Sequence, residues 1–404
     1  MLRSWRLVVV VLMVGAVFAS LMAGCGSGSS TSSSSSAASG APSGEPIKIG
    51  LDTALTGIVA AAGEGQSAVA QMFMDDVNAS GGLLGRPIEL VIEDSASDPK
   101  TSNEKAKILV SKGIDVAVGP ALSAERTAAE PVFSAAGIPL LYSTWYEGGA
   151  YAPLMFIDAE TPEQQVNPFV PWLVEKYGPN FYFVGSDYEF PRGQIAMAKK
   201  ALEAAGGKVV GEEYVALGTT DFGSVITRIQ KAQPDVLFDV TVGTDQVALA
   251  KQFYDYGLTK SIAFAGTCAP ETNIQGIGSP ASTGIIECFG YFQNIDTPEN
   301  KAFVAKYKTY DSKNPVTTQS EHMYAALLLW QKAVEQAGTT EGTAVAKAME
   351  GLSVDTPGGP MTMRAIDHHT AMHMYIAQVD SNGQFVILED LGVIDPGVNQ
   401  RTGE

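Results

Sequence analysis

Short apolar runs alternate with amphipathic stretches along most of the chain, from about residue 47 onward. Strands are predicted where β-branched and other apolar residues cluster, and helices where apolar residues recur every three or four positions. The first series predicts strands at 47–51, 88–93, 116–118 and 138–142, separated by helices at 62–78, 101–112 and 123–136. Repeated strand–helix units predict a parallel sheet with helices on both faces.

A second series of the same kind begins after residue 158. It predicts helices at 162–177, 193–205, 222–232 and 246–256, and strands at 181–185, 209–214, 236–240 and 262–265. Three further helices, at 300–310, 320–338 and 343–351, have no strands between them, so we expect them to return and cover the first sheet. The pattern therefore predicts two lobes of the same architecture.

The last part of the pattern predicts a β-hairpin with strands at 373–379 and 384–389. Its turn, residues 380–383, contains Asp, Ser, Asn and Gly, which suit the positive φ angles of tight turns. Such a hairpin fits antiparallel addition to a sheet edge. The predicted fold class is α/β, with two doubly wound parallel-sheet lobes and a crevice at the carboxyl ends of their strands.

The first residues have the pattern of a lipoprotein signal peptide, predicted to span 1–24. Arg3 and Arg6 precede an apolar run at 7–18, and small residues lead to Cys25, the expected lipidated residue. The alternative is an uncleaved membrane anchor or a signal that is cut elsewhere. We expect the mature protein to lie outside the cytoplasm, lipid-anchored to the cell membrane.

Composition limits the classes of partner. Residues 25–45 consist mostly of Ser, Gly, Ala and Pro, so we predict a tether that does not fold. The remaining domain of about 350 residues is too long for one core, which favours two lobes. The formal charge of −18 at pH 7 makes nucleic acid and anionic membrane surfaces poor partners.

Two cysteines follow the predicted lipidation site, Cys268 and Cys288. Each lies at the end of an apolar strand-like run, so neighbouring strands could bring them within bridging distance. Because the predicted compartment is oxidising, we expect a disulfide between them. Two buried thiols are the alternative.

The loops that follow the strands hold the candidate binding residues, because function concentrates there in parallel sheets. These loops are rich in hydroxyl groups and aromatic rings. The predicted ligand contacts are Ser123, Tyr142, Thr144 and Trp145 in the first lobe, and Tyr188, Phe190, Val242, Gly243, Thr244 and Thr267 in the second. Ser123 opens a helix, where it could hold an acceptor oxygen or only cap the helix. The alternative for Tyr188 and Phe190 is packing, and Asp187 and Arg192 could pair with each other.

The sequence lacks the motifs of common catalytic sites. It contains no nucleophile elbow, no phosphate-cradling glycine loop and no mature cysteine with an evident histidine partner. His368, His369 and His373 could form a metal cluster, but no further ligand spacing accompanies them. We therefore predict no enzyme activity, no cofactor and no metal.

Several rare segments resemble one family, the type I periplasmic binding proteins, and within it the branch of urea-importer binding proteins and amide sensors. The similarity spans nearly the whole domain. The segments are Tyr142 with Tyr146, Glu147 and Gly148; 185–188 with Phe190, Pro191 and Arg192; 242–244; Tyr291 and Phe292 with 295–298; and His369 before the terminal hairpin.

The resemblance implies one lobe at 46–158 with 292–354, the other at 159–291 with 355–396, and a tail at 397–404. Three crossovers between the lobes would form the hinge. The positions that line the cleft in relatives match Ser123, Tyr142, Thr144, Phe190, Val242 and Thr244. Trp145 and Ala121 differ from the residues of relatives, which implies a reshaped pocket.

The resemblance also bears on the ligand. Amino-acid binders of the wider family carry an acid after the strand where this chain has Cys268, although Glu271 lies close by and could turn inward. Without that acid, a ligand ammonium would be costly to bury, so we expect a neutral solute. The predicted function is capture of urea or a short-chain amide for an ABC importer. The alternatives are a branched-chain or other aliphatic amino acid, or an extracellular ligand sensor.

Overall fold

The computed structural model of the protein describes residues 41–403. The predicted signal peptide, Cys25 and most of the predicted tether lie outside the described residues. Among residues 41–403, no helix combines the length and the apolar character needed to cross a membrane.

The first lobe is built on a parallel sheet of five strands within the described region, in the order β2-β1-β3-β4-β5. Its strands are β1 (Ile47–Thr53), β2 (Ile88–Asp94), β3 (Val116–Val118), β4 (Leu140–Tyr142) and β5 (Met155–Ile157), and its first helices are α1 (Ala60–Ala79), α2 (Pro99–Ser111) and α3 (Ser123–Ala135). Because each parallel connection needs a crossover, helices separate the first four strands as the sequence predicts. Strands β4 and β5 are also parallel, but residues 143–154 connect them without a helix.

The second lobe continues the alternation. Its first elements are α4 (Pro162–Tyr177), β6 (Asn180–Ser186), α5 (Glu189–Ala204), β7 (Lys208–Val215), α6 (Gly223–Ala232), β8 (Val236–Val240), α7 (Thr244–Asp255), β9 (Ala263–Gly266), α8 (Glu271–Ile277) and β10 (Ile286–Phe289). The strands β10-β9-β8-β6-β7 are parallel neighbours in that order. All five residues of β8 are buried, as expected for a central strand with helices on both faces.

The last third of the chain contributes to both lobes. It contains α9 (Pro298–Tyr307), α10 (Thr318–Ala337), α11 (Gly342–Met349), β11 (Ser353–Thr356), β12 (Gly359–Met363), β13 (Thr370–Val379) and β14 (Phe385–Ile394). Helix α10 packs on α1 and α11, so the late helices return to the first lobe as predicted. The predicted hairpin forms from β13 and β14, and β13 adds antiparallel to β10 of the second sheet.

The chain passes between the sheets three times: after β5, after β10 and after α11. These passages are called crossings 1, 2 and 3 below. Crossing 1 leads into α4, whose start was predicted correctly at Pro162. Thr161 accepts the Gln164 N–H at 3.3 Å, and the Gln164 side chain accepts the Thr161 N–H at 2.9 Å. This reciprocal cap fixes where the second lobe begins.

Besides the single 3-10 turn Leu258–Lys260, four short elements of the described region were not predicted: β5, α8, β11 and β12. Strand β5 has three residues and α8 has seven, which is too few to show a clear period. Strands β11 and β12 lie at the edge of the second sheet and have mixed burial, so they lack the apolar run that marks the central strands.

The prediction of a disulfide is wrong, because Cys268 and Cys288 are both free and buried in the structure. The pairing of β9 with β10 sets Glu287 beside Gly266, and continuing it sets Cys288 beside Thr267. Cys268 is one position further along. Because successive side chains point to opposite faces of a sheet, the two thiols face away from each other.

The predicted tail at 397–404 is partly packed in the structure. Gln400 is buried, its N–H donates to the Asp367 carboxylate at 2.8 Å, and its side chain accepts the Gly149 N–H at 2.8 Å. The guanidinium of Arg401 lies 4.8 Å from the ring centre of Tyr151. These contacts attach the end of the chain to the loop that follows β4.

Candidate functional site

A cavity of about 290 Å³ lies where the carboxyl ends of the strands of the two lobes face each other. The first lobe lines it with residues 57–62 after β1, 121–123 after β3, and Thr144 and Trp145 after β4. Gln319 of α10 completes this wall. The location agrees with the expected crevice at the ends of the parallel strands.

The second lobe supplies the opposite wall. Tyr188 follows β6, residues 242–244 follow β8, and Cys268 and Pro270 follow β9. The remaining lining residues of this lobe belong to α7 and α8; they are Val247, Thr272, Asn273 and Gly276. Each wall therefore consists of strand ends and helix starts.

The lobes contact each other at the edge of the cavity. The Thr244 N–H of the second lobe donates to the Ile58 carbonyl of the first at 3.3 Å. The ring of Trp145 stacks on Phe289 at the end of β10, with 5.2 Å between ring centres. The structure thus shows the lobes closed on each other.

Unsatisfied hydroxyl groups mark one end of the cavity. Among residues 41–403, Ser123 Oγ, Thr144 Oγ1 and Tyr142 Oη are buried without a hydrogen-bond partner of good geometry. Burial raises the Tyr142 pKa well above its usual value, and the nearby Arg126 charge and Ser123 hydroxyl oppose that rise. Buried polar groups are normally paired, so the two hydroxyls that line the cavity, those of Ser123 and Thr144, are suited to bind a solute acceptor or donor.

The lining residues carry no charged side chain among the part of the chain that the structure describes. Most of them are Ala, Val, Ile, Leu, Pro or aromatic residues, and the polar minority is Ser, Thr, Asn, Gln and Cys. The cavity is therefore an apolar space with a few neutral hydrogen-bonding groups, which is the usual composition of a small-molecule site.

The structure places seven of the ten predicted contacts on the cavity wall: Ser123, Thr144, Trp145, Tyr188, Val242, Gly243 and Thr244. The other three lie behind that wall. Tyr142 is fully buried against Arg126, Phe190 packs behind Tyr188, and the Thr267 hydroxyl accepts from Gln194 at 2.9 Å.

The loop at 57–62 and helix α8 were missed as lining segments. The rule that selected the other loops applies equally to the loop after β1, so a signal for 57–62 was present in the sequence. Helix α8 gave no signal, because its seven residues are too few to show a period.

A buried ion pair supports the hydroxyl end of the cavity. Arg126 of α3 pairs with Glu147, and its guanidinium lies 4.9 Å from the ring centre of Tyr142 and 5.0 Å from that of Tyr146. Burial alone would lower the Arg126 pKa, but Tyr142, Glu147 and Tyr146 outweigh it and raise the pKa. The pair fixes the loop that carries Thr144.

Other candidate groups have local partners. Asp187 and Arg192 form an exposed ion pair at 2.7 Å. His368 stacks on Phe156, His369 contacts Tyr146, and His373 pairs with Asp390. Within residues 41–403, no three His, Cys, Asp or Glu side chains are grouped so as to hold a metal ion.

The acid that could have turned inward, Glu271, does not line the cavity. One carboxylate oxygen accepts the Gln293 N–H at 2.8 Å, and burial raises the Glu271 pKa to about 7. Behind Cys268, burial also raises the pKa of Glu287, and it raises that of Asp239 to about 7. These acids are separated from the cavity by its wall.

Comparison with known proteins identifies the family. Residues 46–384 match the family model of periplasmic binding proteins. A leucine-, isoleucine-, valine-, threonine- and alanine-binding protein of Pseudomonas aeruginosa is 28% identical, with 78% of this chain and 85% of the relative covered. A Leu/Ile/Val-binding protein of Escherichia coli is 24% identical, with 79% and 86% covered.

Solved structures show the same fold. A solute-binding protein of an ABC transporter from Rhodopseudomonas palustris, in complex with 3,4-dihydroxybenzoic acid, has a TM-score of 0.79 at 22% identity, with 88% of this chain and 98% of that chain covered. A branched-chain amino acid transporter substrate-binding protein from Streptococcus pneumoniae, in complex with isoleucine, has a TM-score of 0.78 at 21% identity, with 87% and 99% covered. The chain therefore belongs to the periplasmic binding protein family, the extracytoplasmic and non-enzymatic solute-binding components of ABC transporters.

Proposed function

We propose that the protein captures a short-chain amide or urea between its lobes and delivers it to an ABC permease. The observation that carries this proposal is the cavity itself, which, among residues 41–403, has unsatisfied hydroxyls at one end and no charged lining residue. A carboxamide is neutral and offers both a carbonyl acceptor and N–H donors. It can therefore satisfy hydroxyl groups without bringing a charge into an apolar space.

The neutral lining disfavours a cationic solute. An ammonium group that is buried without a counter-ion costs several kcal/mol. The nearest acids, Asp239, Glu271 and Glu287, do not line the cavity, and the pKa of each is raised by burial, which favours its uncharged form. The described part of the chain thus provides no carboxylate in the site that could compensate an ammonium.

The volume and the apolar walls favour an amide with an alkyl chain over urea. A cavity of about 290 Å³ corresponds to roughly ten water molecules, which exceeds the size of urea. Urea also has no apolar surface to bury against Val242, Val247 and the alanines at 60–62. An alkyl chain would gain about 0.8 kcal/mol for each buried methylene.

A second candidate is a branched-chain or other aliphatic amino acid. The sequence relatives from Pseudomonas aeruginosa and Escherichia coli are named for binding such amino acids. The apolar walls suit an aliphatic side chain, and Ser123 at the start of α3 suits a carboxylate. The ammonium group would then depend on neutral acceptors alone.

A thermal-shift and calorimetry screen separates these candidates. The ligands are urea, acetamide, propionamide, leucine, valine and benzoate, each tested on the domain from Glu45 onward. We expect propionamide to raise the melting temperature most. A shift with leucine and valine but with none of the amides would reject the amide proposal in favour of the second candidate.

Replacing Thr144 by valine is expected to weaken amide binding about tenfold, because a buried hydroxyl that bonds the solute contributes about 1 kcal/mol or slightly more. The fold should survive, since the Thr144 hydroxyl has no partner within residues 41–403. The matched control is Thr370→Val, which removes another buried, unpaired hydroxyl that does not line the cavity. Calorimetry should show unchanged affinity for the control, and equal losses in the two variants would remove Thr144 from the site.

We also propose that Cys25 carries the lipid that anchors the protein to the cell membrane. Replacing Cys25 by alanine should move the protein from the membrane fraction to the soluble extracytoplasmic fraction and abolish labelling by a radioactive fatty acid. Cys268→Ala serves as the control, since that thiol is buried in the domain. Continued labelling of the Cys25 variant would contradict the proposal.

A further inference from the structure

Three buried titratable side chains lie together at the crossings between the lobes, away from the cavity wall. They are Glu160, Glu321 and His322, each no more than 1% exposed. We call them the hinge triad. Glu160 lies on crossing 1, and the other two are adjacent residues of α10 in the first lobe.

Glu160 joins crossings 1 and 2 to α10. One oxygen of its carboxylate accepts the Gly290 N–H at 2.9 Å and the Thr318 hydroxyl at 2.7 Å. Gly290 directly follows β10, where crossing 2 begins, and Thr318 is the first residue of α10. A single carboxylate thus bridges two of the three passages between the lobes.

Glu321 provides the corresponding contact for crossing 3. Its carboxylate accepts the Gly358 N–H at 2.9 Å, and Gly358 lies between β11 and β12, just after the chain has entered the second sheet. Buried carboxylates therefore attach crossings 1 and 2, and the turn between β11 and β12 that follows crossing 3, to the first turns of α10. Hinge motions are absorbed by backbone rotations in such connecting segments, so these attachments lie where a movement of the lobes would be taken up.

His322 stands between the two carboxylates. Its Nδ1 lies 3.5 Å from a Glu160 oxygen, and its Nε2 lies 3.8 Å from a Glu321 oxygen and 3.4 Å from the Thr318 hydroxyl. That Glu160 oxygen, that Glu321 oxygen and His322 Nδ1 all lack a hydrogen-bond partner among the described residues. The group therefore has free capacity to bind a proton.

The charge of the cluster depends on the proton of His322. Two ionised carboxylates in a buried space repel each other, and an imidazolium between them would attract both. Burial raises the Glu321 pKa, and the neighbouring His322 opposes that rise. The other titratable groups that face the triad from neighbouring elements are Asp158 on crossing 1, Cys288 on β10, Tyr291 on crossing 2, and His373 and Tyr375 on β13.

We propose that Glu160 and Glu321 hold the hinge segments in place through their contacts with His322. Proton uptake by the hinge triad then favours the closed arrangement of the lobes. The structure is closed, and it holds both carboxylates within 4 Å of the imidazole. Glu321 and His322 share α10, so lobe motion changes the distance from the imidazole to Glu160 on crossing 1. A conformation that brings the Glu160 carboxylate to the imidazole binds the proton more tightly than one that separates them. The closed form is then favoured at low pH, and that advantage is lost as the pH rises.

The inference rests on the proposed capture by lobe closure, but its test needs no ligand. Small-angle X-ray scattering of the ligand-free protein should show a larger radius of gyration at about pH 8 than at about pH 5.5, two values on either side of the range in which free imidazole side chains titrate. His322→Gln should abolish this reversible change, and Glu160→Gln should reduce it. His373→Gln, which alters a histidine at the edge of the same void, should retain it.

The outcomes are distinct. A radius of gyration that is constant with pH in the wild type would overturn the proposal, and so would a normal response in His322→Gln. Circular dichroism checks that each variant is folded. If His322→Gln is not folded, an undiminished response in Glu160→Gln would overturn the proposal instead. If the response is present but propionamide and leucine cause no compaction at either pH, the hinge proposal stands and the proposed capture fails. Where a solute does bind, its Kd should rise by up to about tenfold per pH unit for one linked proton.

Discussion

Replacing Gly243 by alanine is expected to weaken solute binding about 100-fold or more, because the added methyl group would hold the lobes apart. Gly243 caps α7 with φ of 58° and ψ of −128°, and a Cβ there would meet the Ile58 carbonyl of the opposite lobe. The same carbonyl accepts the Thr244 N–H, so the contact exists only while the lobes are closed. An interlobe clash worth about 3 kcal/mol in the closed form corresponds to a loss of about 100-fold. Calorimetry with propionamide measures the effect.

The control for this variant is Gly257→Ala. Gly257 also has a positive φ, of 75°, and also precedes a helical turn. A Cβ added there would meet no atom of the described residues within 4 Å. Both variants should lose about 1–3 kcal/mol of stability from backbone strain, and only Gly243→Ala should lose affinity. Similar affinities in the two variants would show that Gly243 does not govern closure.

The sequence predicted the central elements well because their apolar periods are long. The start of β8 and both ends of α4 agree with their predicted residues, and a capping box fixes the start of α4. Strand β8 is buried on both faces, so nearly every residue in it is apolar. The elements that were missed are short or lie at sheet edges, where fewer positions are constrained by burial.

The cavity wall was predicted where a residue lies in the loop just after a strand. Thr144 and Val242 are each the second residue after their strand, and both line the cavity. Tyr142 is still within β4, and the strand turns its ring toward Arg126 instead of the cavity. Sequence position alone does not distinguish these cases, because the last strand residue and the first loop residues are adjacent in the chain.

The hinge triad could not be predicted from the sequence. Glu160 and His322 are far apart in the chain, and each looks like an ordinary polar residue at the start of a helix. They meet because crossing 1 passes over the start of α10, a packing relation that no periodic pattern records. The disulfide between Cys268 and Cys288 was predicted wrongly for a similar reason. A shift of one residue in the strand register decides whether the two thiols face each other.

Replacing Glu147 by methionine is expected to lower the free energy of unfolding by about 3 kcal/mol. The change leaves Arg126, which is 4% exposed, without its carboxylate, and breaking a buried pair from one side costs about 3–5 kcal/mol. We expect the lower end of that range because Glu147 retains 19% exposure. One guanidinium nitrogen of Arg126 already lacks a partner among the described residues, so the protein offers the charge no ready replacement. Urea denaturation measures the loss.

The double variant Arg126→Met, Glu147→Met tests whether the cost comes from the unpaired charge. Removing both charges eliminates the buried guanidinium, so the double variant should be more stable than Glu147→Met alone. Asp187→Asn is the exposed control, because Asp187 and Arg192 are each about half exposed and such pairs contribute under about 1 kcal/mol. If the double variant were the least stable of the series, packing of Arg126 between Tyr142 and Tyr146 would be its main contribution. The charge argument would then fail.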